Sequence, residues 1–316
     1  MSSSVHPLVS IVMPAFNCEA YIFESLSSIF SQDVENIEVI VVNDGSTDKT
    51  AEIAAAFDPR VRVFNSNHLG PAGARNLAVT HSLGRYLAFL DADDVWLPGK
   101  LQAQLAFLDE HPDTKIVYTR HIFWQAEANG SFRSPETFAW SSASGIDEAL
   151  SGWIYPEMLL DSQIHIITAL CHRSVYDSVG GFDGTFGKGS DYDFWIKATH
   201  QFQAYRLSRD GALYRIHAGG ISMKKTEVCA QYEIVNRAIL AYGYNGPDGR
   251  LGDRKQIRHR LAEVCFGHAY SHFWGGRAGV ATNFFGKAFQ YGKRDLKTGV
   301  YWIAAKLKSV LPSRSN

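Results

Sequence analysis

The sequence has few cysteines, no excess of either charge and no long hydrophobic run. Its four cysteines in 316 residues are far apart, and none forms a CxxC pair. This spacing argues against a disulfide framework and a zinc site, so we expect reduced thiols in a cytosol. Lys and Arg number 31 against 32 Asp and Glu. Because duplex-binding proteins usually carry a basic excess, no nucleic-acid partner is expected.

No segment approaches the roughly 18 uninterrupted apolar residues that a membrane-spanning helix needs. The first ten residues contain neither the basic region nor the apolar region of an export signal. These absences predict a cytoplasmic protein whose contact with a membrane, if any, is peripheral. The composition, 46% hydrophobic and 20% charged, is typical of a globular chain with one large domain or two modest ones.

Short β-branched runs alternate with amphipathic stretches in the first third of the chain. Strands are predicted at 8–14, 37–44, 61–64 and 85–91, with helices at about 20–32 and 70–81 and another after residue 48. The apolar run at 37–44 is nearly continuous, as in parallel strands covered on both faces. Four such units predict an α/β fold with a doubly wound, mostly parallel sheet.

The second half of the chain changes character. Short strands at 115–120, 165–171, 204–210 and 212–217, with a helix after Ser190, predict a mixed extension of the same sheet. From about residue 226 the sequence predicts only helices. Those helices are expected at about 228–242, 254–274, 278–291 and 295–311.

Polar clusters follow three of the predicted strands. They are residues 14–17, the pair Asn43-Asp44, and Asp91-Ala92-Asp93-Asp94. Ligands of such sheets bind at the carboxyl ends of the strands, so the three clusters should share one rim. Two carboxylates in DxD spacing suit Mg²⁺ or Mn²⁺, which prefer oxygen ligands. The alternative is that these acidic residues only cap the helix that begins near Pro98.

Five segments occur in one order: VVNDGSTD, NHLGPAGARN, LDADD, GSDYDFW and YRIH. Together they resemble the inverting family 2 glycosyltransferases of GT-A (Rossmann-like) fold, of the bacterial cell-surface polysaccharide type, over about residues 7–222. The resemblance implies transfer of a single sugar from a nucleotide diphosphate sugar, foremost a UDP-sugar, to a hydroxyl of a saccharide or lipid-linked acceptor. It also implies a catalytic domain at 1–225, with a nucleotide-sugar-binding half at 7–115 and an acceptor half at 116–225, before a helical region at 226–316.

By this resemblance, Pro14, Ala15, Phe16, Asn17 and Asp44 hold the nucleotide base. Phe16 would stack on the base, and the Asp44 carboxylate would accept an imide N–H that uridine and thymidine both offer. Each residue also has a structural interpretation. An aromatic residue at a strand end often belongs to the core, and Asp followed by Gly is a common turn.

The resemblance places Asp91 on the ribose hydroxyls, with Ala92 beside the nucleotide-sugar. Asp93 and His217 would hold Mg²⁺ or Mn²⁺ at the diphosphate. Arg75 would contact the diphosphate or pair internally with one of the aspartates. We favour the internal pair, because a guanidinium near several carboxylates is readily bound by them.

Asp191 is expected at the first turn of the helix after Ser190, where the helix dipole favours a carboxylate. The resemblance makes Asp191 the general base that takes the proton of the acceptor hydroxyl. Asp193 is the second candidate. Ser190 stands where the family usually has glutamate, which leaves the acceptor contact of that glutamate open.

Two Gly-containing segments complete the resemblance. The Gly-rich loop at 218–222 would close over the donor. The GGFD turn at 180–183 either contacts the acceptor or is structural.

The C-terminal segment predicts an amphipathic helix with basic residues around its apolar face. That face comprises Leu296, Val300, Ile303, Leu307 and Val310. Such a helix is typical of peripheral attachment, here through residues 293–314 to anionic lipid at the inner face of the cell membrane. The alternative is a terminal helix docked on the preceding helical hairpin, with a solvated basic face.

Two other functions remain open from the sequence. A catalytically silent nucleotide-sugar-binding or scaffolding subunit of a polysaccharide assembly complex is one, although the acidic residues and His217 count against it. A nucleotidyltransferase would need a Gly-rich basic loop after the first strand, and residues 14–21 contain no Gly, Lys or Arg. The chain has no QxxRW segment, which disfavours a processive synthase.

Overall fold

The computed structural model describes residues 6–217, 219–220 and 226–310. The chain divides into two compact units. Unit 1 comprises Met1–Ile154 and Ser162–Met223, and unit 2 comprises Tyr155–Asp161 and Lys224–Asn316. The short segment of unit 2 that interrupts unit 1 is a feature that the sequence does not indicate.

Strands and helices alternate in the first half of unit 1. In chain order they are β1 (Val9–Ala15), α1 (Ile22–Phe30), β2 (Ile37–Asn43), α2 (Thr50–Ala55), β3 (Val61–Asn65), α3 (Gly70–Thr80) and β4 (Tyr86–Phe89). β2 and β4 are buried along their whole length. Such burial explains their unbroken apolar runs, because helices cover both faces of a parallel sheet. All four predicted strands are confirmed, with bounds shifted by one or two residues.

The second half of unit 1 extends the sheet. Its elements are β5 (Val95–Trp96), α4 (Lys100–Glu110), β6 (Ile116–Gln125), β7 (Leu170–His172), α6 (Arg173–Val179), α7 (Ser190–Gln201) and β8 (Ala204–Ile216). The described strands form one sheet in the order β3-β2-β1-β4-β7-β6-β8-β5. Strands β1 to β4 pair in parallel, β7 runs antiparallel to β4 and β6, and β5 runs antiparallel to β8. The predicted mixed extension of a mostly parallel sheet is confirmed.

Two of the strand predictions are wrong in detail. Residues 166–168 form a 3-10 turn rather than a strand, because the His165 carbonyl accepts hydrogen bonds from the N–H and the hydroxyl of Thr168. The segments 204–210 and 212–217 belong to one continuous strand. Gly211 joins them where β8 approaches β6 closely, since a Cβ at this position would lie 2.1 Å from Thr119 Oγ1.

Unit 2 is helical in its described part. It contains α5 (Tyr155–Leu160), α8 (Ala230–Tyr242), α9 (Arg254–Trp274), α10 (Ala278–Gln290) and α11 (Leu296–Val310). Asp253 caps α9 by accepting hydrogen bonds from the N–H groups of Lys255 and Gln256. The four predicted C-terminal helices are confirmed within two residues at each end. Among the described helices, none is both long and apolar enough to cross a bilayer.

Candidate active site

Three loops meet at the carboxyl edge of the parallel strands. In the register of β1 and β2, Ala15 lies opposite Asn43, and the Asp44 N–H donates to the Ala15 carbonyl at 2.8 Å. β4 lies on the other side of β1, and the N–H of Leu90 donates to the carbonyl of Val12. The polar clusters that follow β1, β2 and β4 therefore share one rim, as the strand pattern predicts.

The loop after β1 is held by the loop after β2. Asn17 adopts a φ of 52°, its Oδ1 accepts the Thr47 N–H at 2.9 Å, and its own N–H donates to Ser46 Oγ at 2.9 Å. Phe16 lies 47% exposed at the edge of the rim, so it does not belong to the core. Its ring meets that of His68 edge to face, with centroids 5.4 Å apart. The Phe16 ring can therefore offer a face to a ligand.

Asp44 caps the start of α3. Its Oδ1 accepts from Ser66 Oγ and the Leu69 N–H, each at 2.7 Å, and its Oδ2 accepts the Gly70 N–H at 2.8 Å. A carboxylate has about four acceptor positions, so these bonds use three of them. The carboxylate is thus fixed in position with capacity for one further donor.

Sequence reasoning assigned no role to His68, although it stands in the segment NHLGPAGARN. Its ring covers Gly45, where an added Cβ would lie 3.1 Å from His68 Cε1. Gly45 also has a φ of +82°, which favours glycine. With Phe16, His68 borders the outer end of the rim.

Arg75 and Asp91 form a nearly buried ion pair. Arg75 Nη2 of α3 donates to Asp91 Oδ1 at 2.5 Å, as the internal-pair interpretation expects. Burial raises the pKa of the Asp91 carboxyl, Arg75 opposes this shift, and Asp93 adds to it. Burial also lowers the pKa of Arg75, but the charges of Asp91, Asp191 and Asp93 outweigh it and raise that pKa overall. Asp191 therefore lies within electrostatic range of the Arg75 guanidinium.

The GGFD turn supports this ion pair. Asn76, next to Arg75, accepts the Phe182 N–H and donates to the Phe182 carbonyl, both at 2.9 Å. A Cβ at Gly181 would lie 2.9 Å from Asn76 Oδ1, and the Arg75 guanidinium lies 5.8 Å from the centre of the Phe182 ring. These contacts give the turn a structural role in positioning α3.

Asp93 and His217 come together from the loop after β4 and the end of β8. His217 Nε2 lies 2.9 Å from Asp93 Oδ2, and both side chains remain partly accessible. Tyr21 packs beside the imidazole, with ring centroids 4.9 Å apart. Within the described part of the chain, no three His, Cys, Asp or Glu side chains are grouped closely enough to hold a metal by themselves.

Arg215 holds the loop that carries the aspartates, and sequence reasoning gave it no role although it stands in YRIH. Its backbone N–H donates to Asp94 Oδ1 at 2.7 Å, and its Nε donates to the Asp93 carbonyl at 2.6 Å. Its Nη2 also pairs with Glu24 of α1. Burial raises the pKa of Asp94 well above its usual value, and the charges of Asp93 and Asp91 add to the shift.

Aromatic rings surround the Arg215 guanidinium. Its Cζ lies 3.9 Å from the centre of the Trp124 ring, 4.6 Å from that of Tyr21 and 4.8 Å from that of Phe132. Ala92 of the DADD loop is buried, and its carbonyl accepts a hydrogen bond from the Ser25 hydroxyl at 2.9 Å. The DADD loop is therefore fixed from both sides before any ligand binds.

The two candidate bases differ in their surroundings. Asp191 lies in the first turn of α7 and is partly exposed. Asp193 is buried, and its Oδ2 accepts a hydrogen bond from Lys197 Nζ at 2.5 Å. The geometry therefore favours Asp191 as the accessible carboxylate.

The Gly-rich loop that the sequence predicts as a lid is described only in part. Gly219 and Gly220 are described, whereas residues 218, 221 and 222 lie outside the described part.

Curated relatives match most of the chain. An uncharacterized glycosyltransferase of Haemophilus influenzae is 42% identical over 225 residues, 70% of this chain and 83% of that protein. The Escherichia coli UDP-Glc:α-D-GlcNAc-diphosphoundecaprenol β-1,3-glucosyltransferase WfaP is 30% identical over 241 residues, 73% of this chain and 86% of that protein. The match covers only 33% of an uncharacterized glycosyltransferase of Rickettsia bellii, at 29% identity.

Solved structures of similar fold include S. aureus TarS 1–349 in complex with UDP. It has a TM-score of 0.62 and 18% identity, over 95% of this chain and 87% of that one. The mannosyltransferase PcManGT of Pyrobaculum calidifontis, in complex with GDP-Man and Mn²⁺, has a TM-score of 0.59 and 18% identity, over 98% and 82%. These likenesses confirm the predicted GT-A fold class.

The model of the family named Glycosyl transferase family 2 matches residues 10–150. The H. influenzae and E. coli relatives are 42% and 30% identical to the chain, and each is aligned over more than four-fifths of its own length. The chain belongs to glycosyl transferase family 2.

Proposed function

We propose that the chain is an inverting, metal-dependent glycosyltransferase that moves one sugar from a UDP-sugar to a hydroxyl of a saccharide or lipid-linked acceptor. The observation that carries this proposal is that Asp91, Asp93 and His217 lie at one rim. Asp191 is close enough for its charge to raise the pKa of Arg75, the partner of Asp91. Family membership supplies the reaction class.

The outer end of the rim suits a pyrimidine base. Phe16 offers an exposed ring for stacking, and Asp44 keeps one acceptor position for an imide N–H. Asp91, fixed by Arg75, has its second carboxylate oxygen left for the ribose hydroxyls. The names of WfaP and of the TarS complex, which mention UDP-Glc and UDP, agree with a uridine donor.

The residues present fit a hard divalent cation. Asp93 Oδ2 and His217 Nε2 form a hydrogen-bonded pair at 2.9 Å, a separation that two neighbouring ligands of one cation can also have, and Mg²⁺ or Mn²⁺ commonly completes its shell with substrate phosphates. A cation held there would neutralise charge on the leaving diphosphate. Arg215 fixes the Asp93 backbone, which limits the movement of this ligand. The Mn²⁺ in the PcManGT complex is consistent with such a site.

Asp191 acts as the general base. It accepts the proton of the acceptor hydroxyl while that oxygen forms a bond to the anomeric carbon, and the bond from that carbon to the diphosphate breaks. One displacement inverts the anomeric centre and releases the nucleoside diphosphate. A positioned base contributes about 10²- to 10⁴-fold to such a step.

The helix α11 supports a peripheral contact with anionic lipid at the inner face of the cell membrane, so the enzyme would be cytoplasmic and membrane-attached. Thr298 and Ala305 are buried, and Tyr301 packs on the Phe285 ring of α10 at 5.9 Å. The opposite face presents an apolar stripe whose residues are 56–85% exposed. The stripe comprises Leu296, Val300, Ile303, Leu307 and Val310.

Exposed lysines border the apolar stripe of α11. At about 100° per residue, Lys297 and Lys308 lie on one side of the stripe and Lys306 on the other. The helix thus docks on the hairpin, as the second interpretation of the sequence expects, yet it turns its apolar face outward. An outward apolar stripe between lysines matches an anionic membrane surface. The proposed segment continues to residue 314, and residues 311–316 lie outside the described part.

The proposed activity is tested by incubating the full chain with MnCl₂, an α-D-GlcNAc-diphosphate carrying a short lipid, and UDP-, GDP- or dTDP-sugars in turn. We expect release of UDP that depends on the acceptor, together with a product one sugar heavier by mass spectrometry. EDTA should abolish both signals. If no donor releases nucleotide in the presence of this acceptor or of simple glycosides, the proposed activity is wrong.

A further inference from the structure

Four rings lie together in unit 1 beyond the rim residues described above. The imidazole of His165 lies 4.7 Å from that of His121 and 4.6 Å from the Tyr214 ring, measured between centroids. His121 lies 5.0 Å from Phe123, and Phe123 lies 6.0 Å from Tyr214. We name these four residues the ring cluster.

The strands place the ring cluster on a single face of the sheet. His121 and Phe123 are two residues apart on β6, so they point to the same side, and Phe123 is the register partner of Tyr214 on β8. Trp124 follows Phe123 and Leu213 precedes Tyr214 in the chain, and both pack into the hydrophobic cluster on the opposite side. Phe123 nevertheless remains 59% exposed. The ring cluster therefore lies on the face of β6 and β8 opposite to that hydrophobic cluster.

His165 connects the ring cluster to the candidate base. The charges of Asp191 and Asp91 both raise the pKa of its imidazole, against the larger lowering by burial, so His165 lies within electrostatic range of the two carboxylates. Its Nδ1 is buried and has no hydrogen-bond partner among the residues that the structure describes. A buried ring nitrogen without a partner is costly, and a hydroxyl group of a bound ligand would supply the missing hydrogen bond.

The chemistry of the ring cluster favours a neutral ligand over an anionic one. Burial lowers the pKa of His121 to about 4, and it also lowers that of His165. Both imidazoles are therefore neutral at cytosolic pH, with one donor and one acceptor nitrogen each. Neutral imidazoles beside aromatic faces can bond hydroxyl groups and cover the apolar face of a pyranose ring, but they offer no charge to a phosphate.

The surface continues from Phe123 into a cleft. This cleft has a volume of about 320 Å³, and it is lined by Phe123, Gln125 and Arg133 together with Phe138 of the hydrophobic cluster on the opposite side. Gln125 follows Phe123 on the same face of β6, since it is again two residues further along the strand. An extended saccharide could thus run from Asp191 over the ring cluster toward the cleft.

We propose that the ring cluster binds the acceptor sugar, with His165 Nδ1 hydrogen-bonded to a hydroxyl of the pyranose and with His121, Tyr214 and Phe123 packed against the ring or its neighbour. This inference rests on the proposed function, because it assigns the acceptor side of that reaction. His165 is then a binding residue that positions the attacking hydroxyl at Asp191, and Phe123 contributes to acceptor specificity.

Direct binding tests this assignment without turnover. Saturation-transfer NMR is recorded on the full chain with the methyl α-glycosides of glucose, N-acetylglucosamine, galactose and mannose. We expect transfer to at least one glycoside and, for Phe123→Ala, a dissociation constant raised by roughly 2- to 10-fold through loss of one aromatic contact. His165→Ala should remove the response of protons near one hydroxyl. The matched controls Phe23→Ala and His111→Ala change exposed rings elsewhere in unit 1.

Kinetics separate this assignment from the proposed function. With UDP-sugar and the short-lipid GlcNAc diphosphate, Phe123→Ala should raise the acceptor KM and leave the donor KM unchanged. Absence of nucleotide release from the wild-type chain would contradict the proposed function, whereas the NMR result would still decide on the ring cluster. No saturation transfer to any glycoside, or equal affinity in Phe123→Ala, His165→Ala and the wild type, would overturn the assignment.

Discussion

Asp93 Oδ2 and His217 Nε2 lie 2.9 Å apart, although the two residues are separated by 124 positions in the chain. The contact joins the end of the parallel half of the sheet to the end of β8. It holds the two proposed ligand atoms side by side, and the rest of a cation's shell would then be available to a diphosphate.

Replacing either residue of this pair should weaken metal activation selectively. For His217→Ala, we expect the Mn²⁺ concentration for half-maximal nucleotide release to rise by roughly 10- to 100-fold, a loss typical of damaged metal sites. Asp93→Asn should act in the same direction. His111→Ala, an exposed histidine on the far end of α4, is the control. An unchanged Mn²⁺ dependence in His217→Ala would remove this residue from the metal site.

Arg215 should matter for stability as well as activity. Arg215→Gln removes the donors to the Asp93 carbonyl and to Glu24 and leaves the surrounding rings without their cation, so we expect unfolding free energy to fall by about 1–3 kcal/mol. Arg120→Gln breaks an exposed pair with Asp210 and should cost less than about 1 kcal/mol. Urea unfolding measures both. Equal losses in the two variants would contradict the positioning role of Arg215.

Asp44 has two roles that one substitution can separate. Asp44→Asn places an amide where the N–H groups of Leu69 and Gly70 need acceptors, so thermal or urea unfolding should show a loss of about 1–2 kcal/mol, as for a lost helix cap. If Asp44 also accepts the imide N–H of the base, the KM for a UDP-sugar should rise. A destabilised variant with an unchanged donor KM would restrict Asp44 to the cap.

The outward stripe of α11 predicts binding to anionic vesicles. Leu307→Glu puts a charge on a 62% exposed position, so folding should be unaffected, but lost burial of one leucine should lower partitioning roughly tenfold or more. The matched control is Leu240→Glu, on a 79% exposed leucine of α8. Sedimentation with phosphatidylglycerol vesicles at low and high salt measures the effect. Equal pelleting of Leu307→Glu and the wild type would contradict a lipid contact at this helix.

Periodicity and strand ends were enough to predict the parallel strands, the C-terminal helices and the shared rim, since these depend on local pattern. An internal pair of Arg75 with one of the aspartates could also be predicted, because a guanidinium near several carboxylates is readily bound by them, but the sequence did not identify Asp91 as the partner. The aromatic rings around the Arg215 guanidinium could not be predicted, since Trp124 and Phe132 contact the guanidinium only through tertiary packing. The same holds for His165, which directly precedes a 3-10 turn where the apolar sequence favoured a strand.

Asp191 as the general base is the central claim, and one measurement tests it most directly. The kcat of acceptor-dependent UDP release is compared for the wild type, Asp191→Asn and the exposed-surface control Asp109→Asn, with UDP binding measured in parallel. We predict that Asp191→Asn lowers kcat by about 10²- to 10⁴-fold while UDP affinity and folding are retained. A kcat in Asp191→Asn equal to that of Asp109→Asn would contradict the account.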